Sequence, residues 1–93
     1  MRLIDAIPTS VHPQAHNGWC FVFGEGIIGR EVGAAYLVQG NPHYTRFKVI
    51  ASPRDKDSDQ PIIPAYQPIS ERPLTAEEIA HFEALARQQP GHI

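Results

Sequence analysis

Apolar residues at helical spacing mark the end of the chain. Four of them fall on one face of a helix with 3.6 residues per turn: Ile79, Phe82, Leu85 and Ala86. Charged residues lie among them, and Pro90-Gly91 follows. Because proline and glycine end helices, we expect a helix over Ala76–Gln89 with its apolar stripe against a core.

The residues just before this helix predict how it begins. Thr75 stands at the N-cap position, and Glu78 is the third helical residue, which is the spacing of a capping box. Leu74 and Ile79 occupy the positions of a hydrophobic staple. The start of the helix is therefore predicted at Ala76.

Two apolar segments earlier in the chain predict strands. Trp19–Phe23 is aromatic and β-branched on both faces, which is typical of a central strand. In Tyr44–Ala51, apolar and basic residues alternate, which is typical of a half-buried strand. "AYLV" at 35–38 predicts a third strand, and the hairpin connection "QGNPH" joins it to Tyr44–Ala51.

The remaining segments are harder to assign. Arg2–Ile7 is a candidate first strand, and residues 8–18 are rich in turn formers, which predicts a loop. Within 53–73, charged residues give way to frequent prolines, which exclude regular helix and central strand. We therefore expect an extended segment there.

These elements predict an α+β fold. A small, mainly antiparallel sheet of three to four strands would pack against the C-terminal helix. A chain of 93 residues is expected to form one domain, 1–93. Self-association into a homo-oligomer would add to the modest stability of so small a domain.

Net charge, cysteine content and hydropathy limit the cellular compartments and partners expected for the protein. The net charge of −2 gives no general attraction to nucleic acid or to an anionic membrane. A single cysteine excludes an internal disulfide, and neither a signal-type segment nor an apolar stretch of membrane-spanning length is evident. These features favour a cytoplasmic protein that binds neither nucleic acid nor a membrane.

The proline-rich segment carries the strongest hint of a partner. Four of its residues are too apolar for a solvated linker: Ile62, Ile63, Tyr66 and Ile69. They either cover the chain's own core or present an apolar ridge to another protein or to a second copy of the chain. We expect a non-catalytic protein-binding module, such as a small inhibitor, adaptor or accessory protein of bacteria or phages.

A glycine-rich stretch suggests an alternative function. Gly24, Gly26 and Gly29 follow a predicted strand, and their spacing resembles the fingerprint of Rossmann-type NAD(P)- and FAD-binding proteins. The resemblance implies a helix over Ile27–Gln39 whose N-terminus faces a pyrophosphate, with Arg54 near a 2′-phosphate. The other interpretation is that these glycines only turn the chain.

Metal binding is a third hypothesis. His12, His16 and Cys20 are equally spaced, with His43 as a fourth candidate, and imidazole and thiolate are zinc ligands. Cys20 could also act as a nucleophile with His16 or His43 as its base. The competing interpretation is a small buried cysteine within an apolar strand.

Overall fold

The computed structural model describes residues 2–14, 18–52 and 63–89. It contains one antiparallel sheet of five strands in the order β1-β2-β3-β4-β5. The strands are Ser10–Gln14 (β1), Gly18–Phe23 (β2), Glu31–Tyr36 (β3), His43–Ala51 (β4) and Pro64–Pro73 (β5). A helix, Ala76–Arg87 (α1), follows the last strand, so the α+β arrangement is confirmed with one more strand than the largest number predicted.

The helix packs on one face of the sheet. Phe82 is fully buried, and its ring centroid lies 5.0 Å from that of Phe21 and 5.9 Å from that of Phe23, both in β2. Leu74 and Ala86 complete the core from the helical side. The predicted apolar stripe of the helix therefore forms the core of this face.

The capping box is present as predicted. The hydroxyl of Thr75 accepts a hydrogen bond from the amide of Glu78 at 3.2 Å, and the Glu78 carboxylate accepts one from the amide of Thr75 at 2.9 Å. The two contacts satisfy backbone donors that the first helical turn leaves free. The helix ends at Arg87, two residues before the predicted end.

The inner strands match their patterns more closely than the outer ones. The strand predicted at Trp19–Phe23 lies between β1 and β3, and the strand predicted at Tyr44–Ala51 is β4. The strand predicted at 35–38 instead covers Glu31–Tyr36, because its pairing with β2 and β4 begins earlier. The turn into β4 is closed by an Asn41 amide that donates to the Val38 carbonyl at 3.0 Å.

Two predictions near the N-terminus are wrong. Arg2–Ile7 does not form a strand: residues Leu3–Asp5 make one 3-10 turn, in which the Ala6 amide donates to the Leu3 carbonyl at 3.1 Å. Residues 8–18 are not a continuous loop, since Ser10–Gln14 pairs with β2. The backbone hydrogen bonds of β2 outweigh the turn-forming composition of this segment.

The sheet has a second face, on which no described helix packs. We call it the far face. Because side chains alternate along a strand, the residues that neighbour Phe21 in β2, Cys20 and Val22, point to it. Val32, Ala34 and Val49 are buried there.

Candidate functional site

The strongest candidate site lies on β5. Tyr66 and Ile69 of β5 are exposed by 53% and 51%, and Ile63, the residue just before the strand, is exposed by 59%; we call these three side chains the β5 surface. They account for half of the six large apolar side chains that are exposed in the described part of the chain. Ile62, the fourth predicted partner-binding residue, lies outside the described residues.

A β-bulge shapes this surface. Ser70 pairs with Arg46 and Pro68 pairs with Phe47, so Ile69 is an extra residue without a pairing partner in β4. Bulges bend a strand and redirect a side chain, and here the redirected side chain is a half-exposed isoleucine.

Tyr66 joins the β5 surface to a groove on the far face. The groove has a volume of about 370 Å³ and contains no Asp, Glu, Lys or Arg. Its apolar and aromatic lining is supplied by Val22, Val32, Ala34, Tyr36, Phe47 and Tyr66. The rings of Phe47 and Tyr66 meet edge to face with centroids 6.3 Å apart. Ser10 and His12 also line the groove, so the arrangement suits a mainly apolar group.

The connection between β2 and β3 lies beside this groove. The Tyr66 hydroxyl occupies the space that a side chain at Gly26 would need, so glycine allows the two segments to touch. Ile27 and Ile28 follow Gly26 and are 49% and 44% exposed. Sequence reasoning did not assign these two isoleucines to a site, although two apolar residues between glycines are a signal that could have found them.

The helix that the dinucleotide resemblance implies over Ile27–Gln39 is not formed. Glu31–Tyr36 is an antiparallel strand between β2 and β4. Gly24 and Gly29 have φ angles of 100° and 94°, a region that favours glycine and that turns the chain between β2 and β3. Arg54 lies outside the described residues. Dinucleotide binding stays a prediction, without the helix N-terminus from which it was argued.

The candidate metal ligands are only partly assembled. His12 and Cys20 are directly paired across β1 and β2, while His16 lies outside the described residues. No group of three or more His, Cys, Asp or Glu side chains within residues 2–14, 18–52 and 63–89 could hold a metal ion. Burial raises the pKa of the Cys20 thiol, and a smaller opposing effect comes from its hydrogen bond with Gln14. That environment suits a buried thiol better than a nucleophile.

Arg46 and Lys48, the two basic residues of β4, both contact the chain near the start of β3. Arg46 is paired with the carboxylate of Glu31, and Lys48 donates to the Gly29 carbonyl at 3.2 Å. Alternation along the strand places both basic side chains on the face opposite to Phe47. The described part of the chain also has no helix long and apolar enough to span a membrane.

A larger cleft of about 610 Å³ lies between the helix and the turn after β3. Trp19 and Ile79 line it together with Glu83 and Arg87. None of the exposed large apolar side chains of the described residues borders it. The β5 surface is therefore the better candidate for recognition.

No protein-family model matches the chain, and neither a curated protein nor a solved structure matches it.

Proposed function

We propose that this protein is a non-catalytic binding module that holds another protein through the β5 surface. The observation that carries the proposal is that Ile63, Tyr66 and Ile69 are each more than half exposed and fall within seven consecutive residues that begin one residue before β5. Single exposed apolar residues are common on proteins, whereas a cluster of them marks an interaction surface.

The chemistry of the neighbouring groove indicates what the partner brings. Tyr66 belongs both to the β5 surface and to the groove, whose lining carries no Asp, Glu, Lys or Arg side chain. Tyrosine is among the residues that contribute most to binding when an interface covers them. We therefore expect the partner to insert an apolar or aromatic side chain beside Tyr66.

Differential capture tests the proposal. The wild-type protein and the variant I63T/I69T are immobilised and exposed to extract from the cells in which the gene occurs. Threonine keeps the β-branched shape while it removes apolar surface. A matched control, Ile7→Thr, makes the same change at a residue that is 86% exposed and lies outside the sheet.

The expected result is a protein that is retained by the wild type and by Ile7→Thr, and that is lost from I63T/I69T. Equal retention by all three would contradict a role for the β5 surface.

A further inference from the structure

The backbone hydrogen bonds of β4 determine which residues of β5 direct their main-chain amide and carbonyl groups outward, away from the rest of the sheet. The Gly29 amide donates to the Val49 carbonyl at 2.8 Å, and the Val49 amide donates to the Arg30 carbonyl at 2.8 Å. The main-chain groups of Val49 therefore point away from β5. In an antiparallel ladder the direction of the main-chain groups alternates from residue to residue, so those of Ile50 and Lys48 point toward β5.

Their partners in β5 are Ala65 and Gln67, whose main-chain groups must point inward. Beyond the bulge, the same alternation directs the main-chain groups of Ser70 and Arg72 inward, toward β4. The outward positions of β5 are then Pro64, Tyr66, Pro68, Glu71 and Pro73.

Contacts at both ends of β5 agree with this assignment. The Ser52 amide donates to the Ile63 carbonyl at 2.9 Å, which turns Ile63 inward and the next residue, Pro64, outward. The Leu74 amide donates to the Pro42 carbonyl at 3.1 Å, which turns Leu74 inward and Pro73 outward. All three prolines of β5 therefore stand where an amide would point away from the sheet.

The opposite edge follows the same rule. The Leu37 amide donates to the Trp19 carbonyl at 2.7 Å, so the main-chain groups of Trp19 point toward β3. Those of the next residue, Cys20, therefore point toward β1. Cys20 pairs with His12, so the main-chain groups of His12 point inward, toward β2, and those of Pro13 point outward, away from the sheet. The inner strands β2, β3 and β4 contain no proline.

We propose that the prolines of β5 close this edge of the described sheet to strand addition, whether the added strand comes from a partner or from a second copy of the chain, and that Pro13 removes one of the two outward amides of β1. A strand that added to β5 would find donors only at Tyr66, Glu71 and the bulged Ile69, because proline has no amide hydrogen. Together with the proposed function, on which this last step rests, the inference assigns partner recognition to side chains rather than to backbone pairing.

Amide hydrogen exchange of the wild-type protein tests the geometry. The amides of Ala65, Gln67 and Arg72 are expected to exchange at least about tenfold more slowly than those of Tyr66 and Glu71, since only the inward amides are hydrogen-bonded. The reverse order, or equal protection, would overturn the assignment of the edge.

Self-association tests the consequence. The variant P64T/P68T restores two outward amides, and Pro8→Thr makes the same change in a connection between elements. Sedimentation velocity is expected to show a concentration-dependent dimer for P64T/P68T, and one unchanged species for the wild type and Pro8→Thr.

If P64T/P68T stays at the size of the wild type up to millimolar concentration, the prolines do not close the edge. A wild-type protein that itself dimerises with protected Tyr66 and Glu71 amides would also overturn the inference. Neither experiment requires the partner, so the edge inference can fail while the capture experiment succeeds. If P64T/P68T does not fold, the single variant Pro64→Thr at the end of the strand gives the same comparison.

Discussion

The helix and β5 use similar residues in opposite ways. Phe82 of α1 is fully buried against Phe21 and Phe23, whereas Tyr66 of β5 is 53% exposed. Both segments carry apolar residues among polar ones, but only the helix has a described surface that covers its apolar side. The difference shows that an apolar pattern becomes core only where the fold supplies a facing layer.

The largest effect is expected from the buried side of this comparison. Phe82→Ala removes a fully buried ring and should lower the free energy of unfolding by about 3–5 kcal/mol. Tyr66→Ala, the matched aromatic change on β5, should cost less than about 1.5 kcal/mol because the ring is half exposed. Urea denaturation measures both.

If Phe82→Ala is already unfolded without urea, Phe82→Leu provides a smaller step on the same scale. Similar losses for the Phe82 and Tyr66 variants would contradict the division between a core helix and an exposed strand.

The second effect concerns the ion pair that ties β5 to α1. Arg72 donates to the two carboxylate oxygens of Glu78 at 2.8 and 2.9 Å. The hydrogen bonds from Arg72, together with those from Thr75, lower the pKa of Glu78 from 4.5 to about 2. A lowered carboxyl pKa stabilises the fold above the ordinary pKa, and this stabilisation is lost as pH falls from about 4.5 toward 2.

Arg72 is 46% exposed, so solvent weakens this coupling, and we expect a loss of about 2 kcal/mol across that interval. The variant Glu78→Gln should be less stable at neutral pH and should lose less stability on acidification. Urea unfolding at several pH values checks both. An unchanged acid dependence in Glu78→Gln would contradict the assignment.

The helix cap has a smaller effect. Thr75→Ala removes the hydroxyl that accepts from the Glu78 amide and should lower the free energy of unfolding by about 1 kcal/mol. Thr75→Ser keeps an accepting hydroxyl and should stay close to the wild type. Thermal unfolding of the pair measures the cap, and equal losses in the two variants would show that the hydroxyl is not the cause.

The elements that the sequence predicts well are those whose information is local. Thr75, Glu78 and a complete apolar stripe predict the helix, and regular alternation of apolar and basic residues predicts β4. Segment β1 was missed because its residues favour turns, and its strand state depends on pairing with β2. The prolines of the last strand predicted an extended segment, but not its place as the fifth strand beside β4.

The candidate site was predictable in part for the same reason. Ile63, Tyr66 and Ile69 were visible as apolar residues among prolines, but their exposure depends on the position of β5 at the edge of the sheet. The bulge at Ile69 and the approach of Tyr66 to Gly26 are set by the register of distant segments, which no local pattern records.

The smallest expected effect tests the central claim, that the β5 surface serves a partner rather than the core. The free energy of unfolding of I63T/I69T, measured by urea denaturation on the sample used for capture, should lie within about 1 kcal/mol of the wild type. The capture of the partner should be lost in that same sample. A loss of more than about 2 kcal/mol with capture unchanged would contradict the claim and place these side chains in the core.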